Sequence, residues 1–212
     1  MTAFRFTLIT DGSSDKILLP VLSWLLKTWL PDVSLQERWV DFGSLPNRPI
    51  TLEGKIVRAI QTYPCDILFI HRDAEREPFQ QRVQEIEKAY QQAKIYLPND
   101  SLPYHICVIP VRMSEAWFLF NENAIRQASG NPNGKIKLHL PAIKEIEDMP
   151  DPKKELYALL EHSSELTGRK LKNFNPAKQI HRMAENIDDF SPLRALSAFQ
   201  RLEADVRTWV EL

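Results

Sequence analysis

The run Asp66-Ile67-Leu68-Phe69-Ile70-His71-Arg72-Asp73 decides how the rest of the chain is to be read. Its unbroken apolar stretch, entered from Pro64 and left through charge, is the signature of a strand covered on both faces. That environment belongs to the middle of a parallel sheet. Working outward, residues 4–10 form a second short run rich in β-branched and aromatic side chains, closed by Asp11-Gly12-Ser13-Ser14, which supplies a turn and a helix start. Residues 104–111 read as another buried strand, and Arg38-Trp39-Val40-Asp41-Phe42 as a fourth. Helical patterns lie between them. Residues 17–30 are apolar on nearly every side, as in a core helix, with Pro20 either kinking it or sitting near its first turn. Residues 51–63 carry Leu52, Ile56, Ala59, Ile60 and Tyr63 at helical spacing, residues 79–94 are charged and amphipathic, and residues 114–128 open on Ser114 as an N-cap.

The order β-α-β-α-β-α-β-α predicts an α/β fold with a mainly parallel sheet, right-handed crossovers and helices on both faces. Asn131-Pro132-Asn133-Gly134 interrupts the alternation, and helical patterns follow over residues 152–162, 176–185 and 192–210. The expected organisation is an α/β domain over residues 1–130 and an α-helical C-terminal extension over residues 131–212 packed on it.

Composition narrows the function classes. Of 212 residues, 43% are apolar and 26% charged, as in an ordinary globular protein. Lys plus Arg number 27 against 28 Asp plus Glu, so no whole-molecule field recruits nucleic acid, and such binding needs a local patch. Lys135 and Lys137, then Arg169, Lys170 and Lys172, offer two. Cys65 and Cys107 adjoin apolar runs and have no Cys-x-x-Cys spacing, so they are expected to be buried thiols. Neither a signal-peptide pattern nor an apolar run of roughly 18 residues occurs, which gives the expectation of a cytoplasmic protein with no membrane partner.

In open α/β sheets, sites form beyond the carboxyl ends of the strands. The first strand end offers Asp11 and Asp15, the third His71, Asp73 and Glu75, and the fourth Glu115. Acids that converge on one sheet edge repel one another unless a cation neutralises them, and oxygen ligands with an imidazole beside them suit Mg²⁺ or Mn²⁺. Each has a blander reading. Asp11 suits a turn, Asp15 and Glu115 suit first helical turns, and a histidine at a strand end is often simply hydrogen-bonded. Arg72, Arg76 and Arg112 flank the same ends and could clamp phosphate or remain solvated. His71-Arg72-Asp73 matches the His-Arg-Asp of protein kinases, but Pro78 stands where the kinase asparagine belongs. With only six glycines there is no Walker or dinucleotide loop either.

Three segments in order carry a family resemblance: Leu8-Ile9-Thr10-Asp11-Gly12-Ser13-Ser14-Asp15, Ile67-Leu68-Phe69-Ile70-His71-Arg72-Asp73, and Val108-Ile109-Pro110-Val111-Arg112-Met113-Ser114-Glu115-Ala116-Trp117. Together they resemble Toprim-like families of prokaryotic proteins found near defence and mobile-element genes, and the Toprim domain of overcoming-lysogenization-defect nucleases. The pattern there is Glu-Gly-x-x-Asp/Glu, then Asp-x-Asp, then Glu-x-Trp. The resemblance covers about the first 125 residues, and Phe199 in Leu196-Ser197-Ala198-Phe199 is similar to the helical ending of such proteins. It implies a divalent-metal nuclease: Asp11 in the position of the general acid or base, His71 and Asp73 in those of the metal-binding aspartates, and Glu115 as the later acid, both catalytic and metal-binding. Asp15 is a further metal ligand, with Arg72 and Arg112 as phosphate contacts. Asp11 and His71 depart from the family's residues. The alternative is therefore a catalytically degenerate module whose helical tail docks a protein partner.

Overall fold

The computed structural model describes residues 3–97 and 102–212. Four strands, β1 (Phe4–Ile9), β2 (Leu35–Trp39), β3 (Ile67–His71) and β4 (Tyr104–Val108), form one all-parallel sheet in the order β2-β1-β3-β4. β3 is internal, and all five of its residues are buried, as its unbroken apolar run requires. Helices α2 (Leu52–Thr62) and α3 (Phe79–Ala93) pack on one face through Ile56, Ile60, Ile86 and Tyr90. Helix α1 (Leu18–Trp29) takes the other face, with Pro20 in its first turn.

The rest of that second layer comes from the C-terminal third. Helices α5 (Pro152–Ser164), α7 (Pro176–Glu185) and α8 (Ser197–Val210), with the short α4 (Glu122–Ala128) and α6 (Gly168–Lys172), lie outside β4 in sequence. Yet Leu156, Met183, Phe199 and Val206 share one buried cluster with Phe6, Leu8 and Phe69 of the sheet and Leu22 of α1. Trp117 stands edge-on to Phe199, 5.5 Å between ring centres. One continuous core thus joins the sheet to the tail helices.

Several elements differ from the sequence expectation. β2 begins three residues earlier than residues 38–42 suggested, because it is an edge strand whose Gln36, Glu37 and Arg38 face solvent. Val40 and Phe42 are apolar because they follow the strand and pack beneath α2. β4 is likewise an edge strand, with Tyr104 exposed, so it is not buried throughout. Residues 114–128 do not make one helix. A 3₁₀ segment, Ser114–Phe118, is followed by a fresh start at Asn121, whose side chain accepts from the Ala124 amide and caps α4. Both cysteines are free and only half buried.

Candidate metal centre

The three strand ends meet at the carboxyl edge of the sheet, where long-range contacts hold the loops. After β1, the Thr10 hydroxyl donates to the Gly12 carbonyl at 2.7 Å and receives the Trp39 indole N–H at 3.0 Å. The Gly12 amide donates to Asp15 Oδ2 at 3.1 Å, so the Asp15 carboxylate folds back over the turn. A Cβ at position 12 would come within 3.3 Å of that oxygen. After β3 and β4, the chains stay laced beyond the strands: the amides of Arg72, Ala74 and Glu75 donate to the carbonyls of Val108, Pro110 and Arg112. Glu75 and Arg112 take left-handed backbone angles, φ 52° and 61°, that turn the chain there.

This scaffold brings Asp15, His71 and Asp73 together, with one potential ligand atom from each lying within 4.8 Å of the others. Ser114 ties two of them: its hydroxyl donates to Asp15 Oδ1 at 2.8 Å and its amide to Asp73 Oδ1 at 2.9 Å. His71 is fully buried between the carboxylates, with Nε2 3.1 Å from Asp73 Oδ1 and Nδ1 3.8 Å from Asp15 Oδ2. A carboxylate only accepts, so the Asp73 contact assigns the proton to Nε2. Nδ1, bearing a lone pair in the neutral ring and a second N–H in the charged one, faces Asp15 with no hydrogen-bond partner among the described residues. Burial opposes charge on this imidazole, but the hydrogen bond to Asp73 and the charges of Asp73, Asp15 and Asp11 outweigh it and hold His71 above its usual value. The pocket therefore favours positive charge, and its donor set of two carboxylates and one imidazole fits a divalent ion.

The other residues singled out from sequence stand around this triad. Asp11, half exposed on the rim, pairs with Lys55 Nζ at 3.2 Å and Arg72 Nε at 2.8 Å. Arg72 also approaches Glu85 at 3.7 Å. Glu115 is buried beside Ser114 and pairs with Lys153 Nζ of α5 at 2.8 Å, outside the triad itself. Glu75 pairs with Arg82 at 3.0 Å and is turned away from the triad's ligand set. Arg112 has a buried Nε with no partner among the described residues, beside a cleft of about 690 Å³ that Arg76 and Arg201 also line. On the opposite flank, Lys55, Arg48, Ser13 and Trp39 line a cleft of about 320 Å³.

Ser114, Lys55 and Lys153 were missed from sequence. Ser114 reads as a cap, but its hydroxyl points to a residue 99 positions earlier. Lys55 sits on the apolar face of α2 between Leu52 and Ala59, and a lysine there was a signal of pairing. Nothing local marks Lys153. Lys153→Ala leaves the buried Glu115 carboxylate without its counter-ion and is expected to cost about 1–3 kcal/mol. Urea denaturation at neutral pH reads this cost. Adding Glu115→Gln to Lys153→Ala should recover part of the loss, and equal losses in single and double variants would show that the pair contributes nothing.

No family model matches the chain, and no similar protein is found among curated proteins or among solved structures.

Proposed function

We propose that this protein is a Toprim-like, divalent-metal-dependent phosphodiesterase acting on nucleic acid, with Asp15, His71 and Asp73 as the ligands of Mg²⁺ or Mn²⁺. The observation that carries this reading is the buried His71 Nδ1, unpartnered and facing the Asp15 carboxylate across 3.8 Å. Two acceptors so placed need a proton or a cation between them. When bound, the metal would polarise a phosphoryl oxygen and acidify a water.

The chain's own residues supply the rest. Ser114 fixes both carboxylates, so the ligands are oriented before anything binds. Arg72 and Lys55, held on the rim by Asp11, are the cations nearest an arriving phosphate. As they swing to it, Asp11 is released to accept the proton of the attacking water. Glu115 acts one step removed, holding Lys153 beside the triad. Arg112 faces the neighbouring cleft and extends the phosphate contact to that side.

The hollow at the far end of α5 is lined by Ile136, His162 and Leu171 together with Glu161 and Glu165, so it is not a basic groove.

The test is cleavage of end-labelled single- and double-stranded DNA and RNA with Mg²⁺, Mn²⁺ or chelator, comparing wild type with Asp15→Asn. Metal-dependent cleavage that falls by about 100-fold in Asp15→Asn is expected. One observation favours a catalytically degenerate, partner-binding module: Asp11 and Glu115 are both already engaged by cations. Metal binding with no cleavage of any of these substrates would select that second reading.

A further inference from the structure

A separate cluster lies on the outer edge of the sheet, on the face covered by α2 and α3. His105 and Cys107 alternate along β4, so both side chains point to that face, while Ile106 and Val108 point into the opposite core. His105 pairs in register with Leu68, three residues before His71, which sets it roughly 10 Å back along the sheet from the strand-end triad. Its ring stacks on Tyr90 of α3 at 3.8 Å between centres, and its Nε2 lies 2.8 Å from Glu87 Oε1. Ligand atoms of Glu87, His105 and Cys107 all lie within 4.8 Å of one another, each residue being half buried.

We propose that Glu87, His105 and Cys107 form a second cation site, distinct from the strand-end triad and specific for zinc. Thiolate, imidazole and carboxylate are zinc's three protein donors, whereas Mg²⁺ avoids sulfur. Asp205 of α8 adds a further negative charge that reaches the Cys107 thiol, and the fourth position is left to water. Tetrahedral zinc needs its ligand atoms about 3.5 Å apart, so the Glu87–His105 contact of 2.8 Å must open slightly while Cys107 Sγ stays within the 4.8 Å limit. Glu87, with nearly half its side chain exposed, is free to make that movement, whereas stacking holds His105.

The electrostatics agree. Burial and the charges of Glu87 and Asp205 push the Cys107 thiol up to about 12. Without a metal it therefore stays protonated at neutral pH. Those same carboxylates, which oppose a free thiolate, favour a dication beside it. Bound there, zinc would fasten edge strand β4 to α3.

The experiment strips the full-length protein with chelator and titrates it with Co²⁺, then displaces the cobalt with Zn²⁺ in competition with a chromogenic chelator. A thiolate-to-cobalt charge-transfer band at one equivalent is expected in wild type and unchanged in Asp73→Ala. Cys107→Ser should remove the band, and both Cys107→Ser and His105→Gln should weaken zinc at least 10-fold. Absence of a thiolate band from wild type, which needs no variant to fold, would overturn the site. So would a zinc affinity insensitive to Cys107→Ser. Because the strand-end triad contains no sulfur, failure here leaves the phosphodiesterase reading untouched, and its failure leaves the zinc site standing.

Discussion

Replacing Asp73 with alanine is expected to lower Mn²⁺ affinity at the strand ends by at least about 100-fold, more than loss of an outer-shell partner would do. Asp73 has two tasks. It offers a carboxylate to the triad, and its Oδ1 accepts the Ser114 amide and faces His71 Nε2. Alanine abandons both, leaving the Ser114 amide without its acceptor at a cost of about 1–3 kcal/mol in stability. Asp73→Asn separates the two. The amide oxygen can still accept from Ser114, so folding should be nearly preserved, while the lost charge should still weaken the metal. Calorimetric titration with Mn²⁺, paired with urea denaturation of both variants, makes the comparison. Wild-type affinity in either variant would remove Asp73 from the ligand set. A folded wild type that takes up no Mn²⁺ even with oligonucleotide present would sink the proposed centre.

Phe199→Ala is expected to destabilise the whole protein by about 3–5 kcal/mol, the cost of emptying a fully enclosed aromatic position. Phe199 is completely buried, edge-on to Trp117 and 6.3 Å from the Trp24 ring centre. Those tryptophans belong to the segment after β4 and to α1, so α8 is part of the wall against which the sheet packs. Unfolding of wild type and variant should be one transition, coincident by far-ultraviolet dichroism and by tryptophan fluorescence. If the helical third were an independent appendage, the two probes would separate and the sheet would keep its midpoint. The same expectation explains why the tail's apolar stripe, from Leu193 through Leu202 to Val206, is core rather than a free docking surface: all three residues are buried against the cluster.

How much could be read in advance depended on distance along the chain. The β3 run and the stripe of α2 were legible because burial on both faces or on one imposes its pattern on neighbouring residues. Edge positions were less legible. β2 carries Gln36, Glu37 and Arg38 between Leu35 and Trp39, so its apolar signal is weaker than that of Val40 and Phe42, which serve the core after the strand has ended. The residues at the strand ends were recognisable as a group because a parallel sheet gathers all its carboxyl edges on one side.

Which of those residues meet was another matter. Asp15, not Asp11, joins His71 and Asp73, because the Gly12 turn lets the Asp15 carboxylate fold back while Asp11 is drawn outward by Lys55 and Arg72. Glu115 is taken by a lysine on a helix of the C-terminal third, and the cluster at Glu87, His105 and Cys107 unites a helix with a strand. The chain by itself determined the α/β order, the parallel sheet and the side on which acids collect, since these follow from periodicity and from the handedness of short connections. Only the tertiary structure decided the partner of each charge. Pairing depends on separations of a few ångströms between groups 40 to 100 residues apart, and Coulomb and hydrogen-bond energies change steeply over that range while leaving no trace in local sequence.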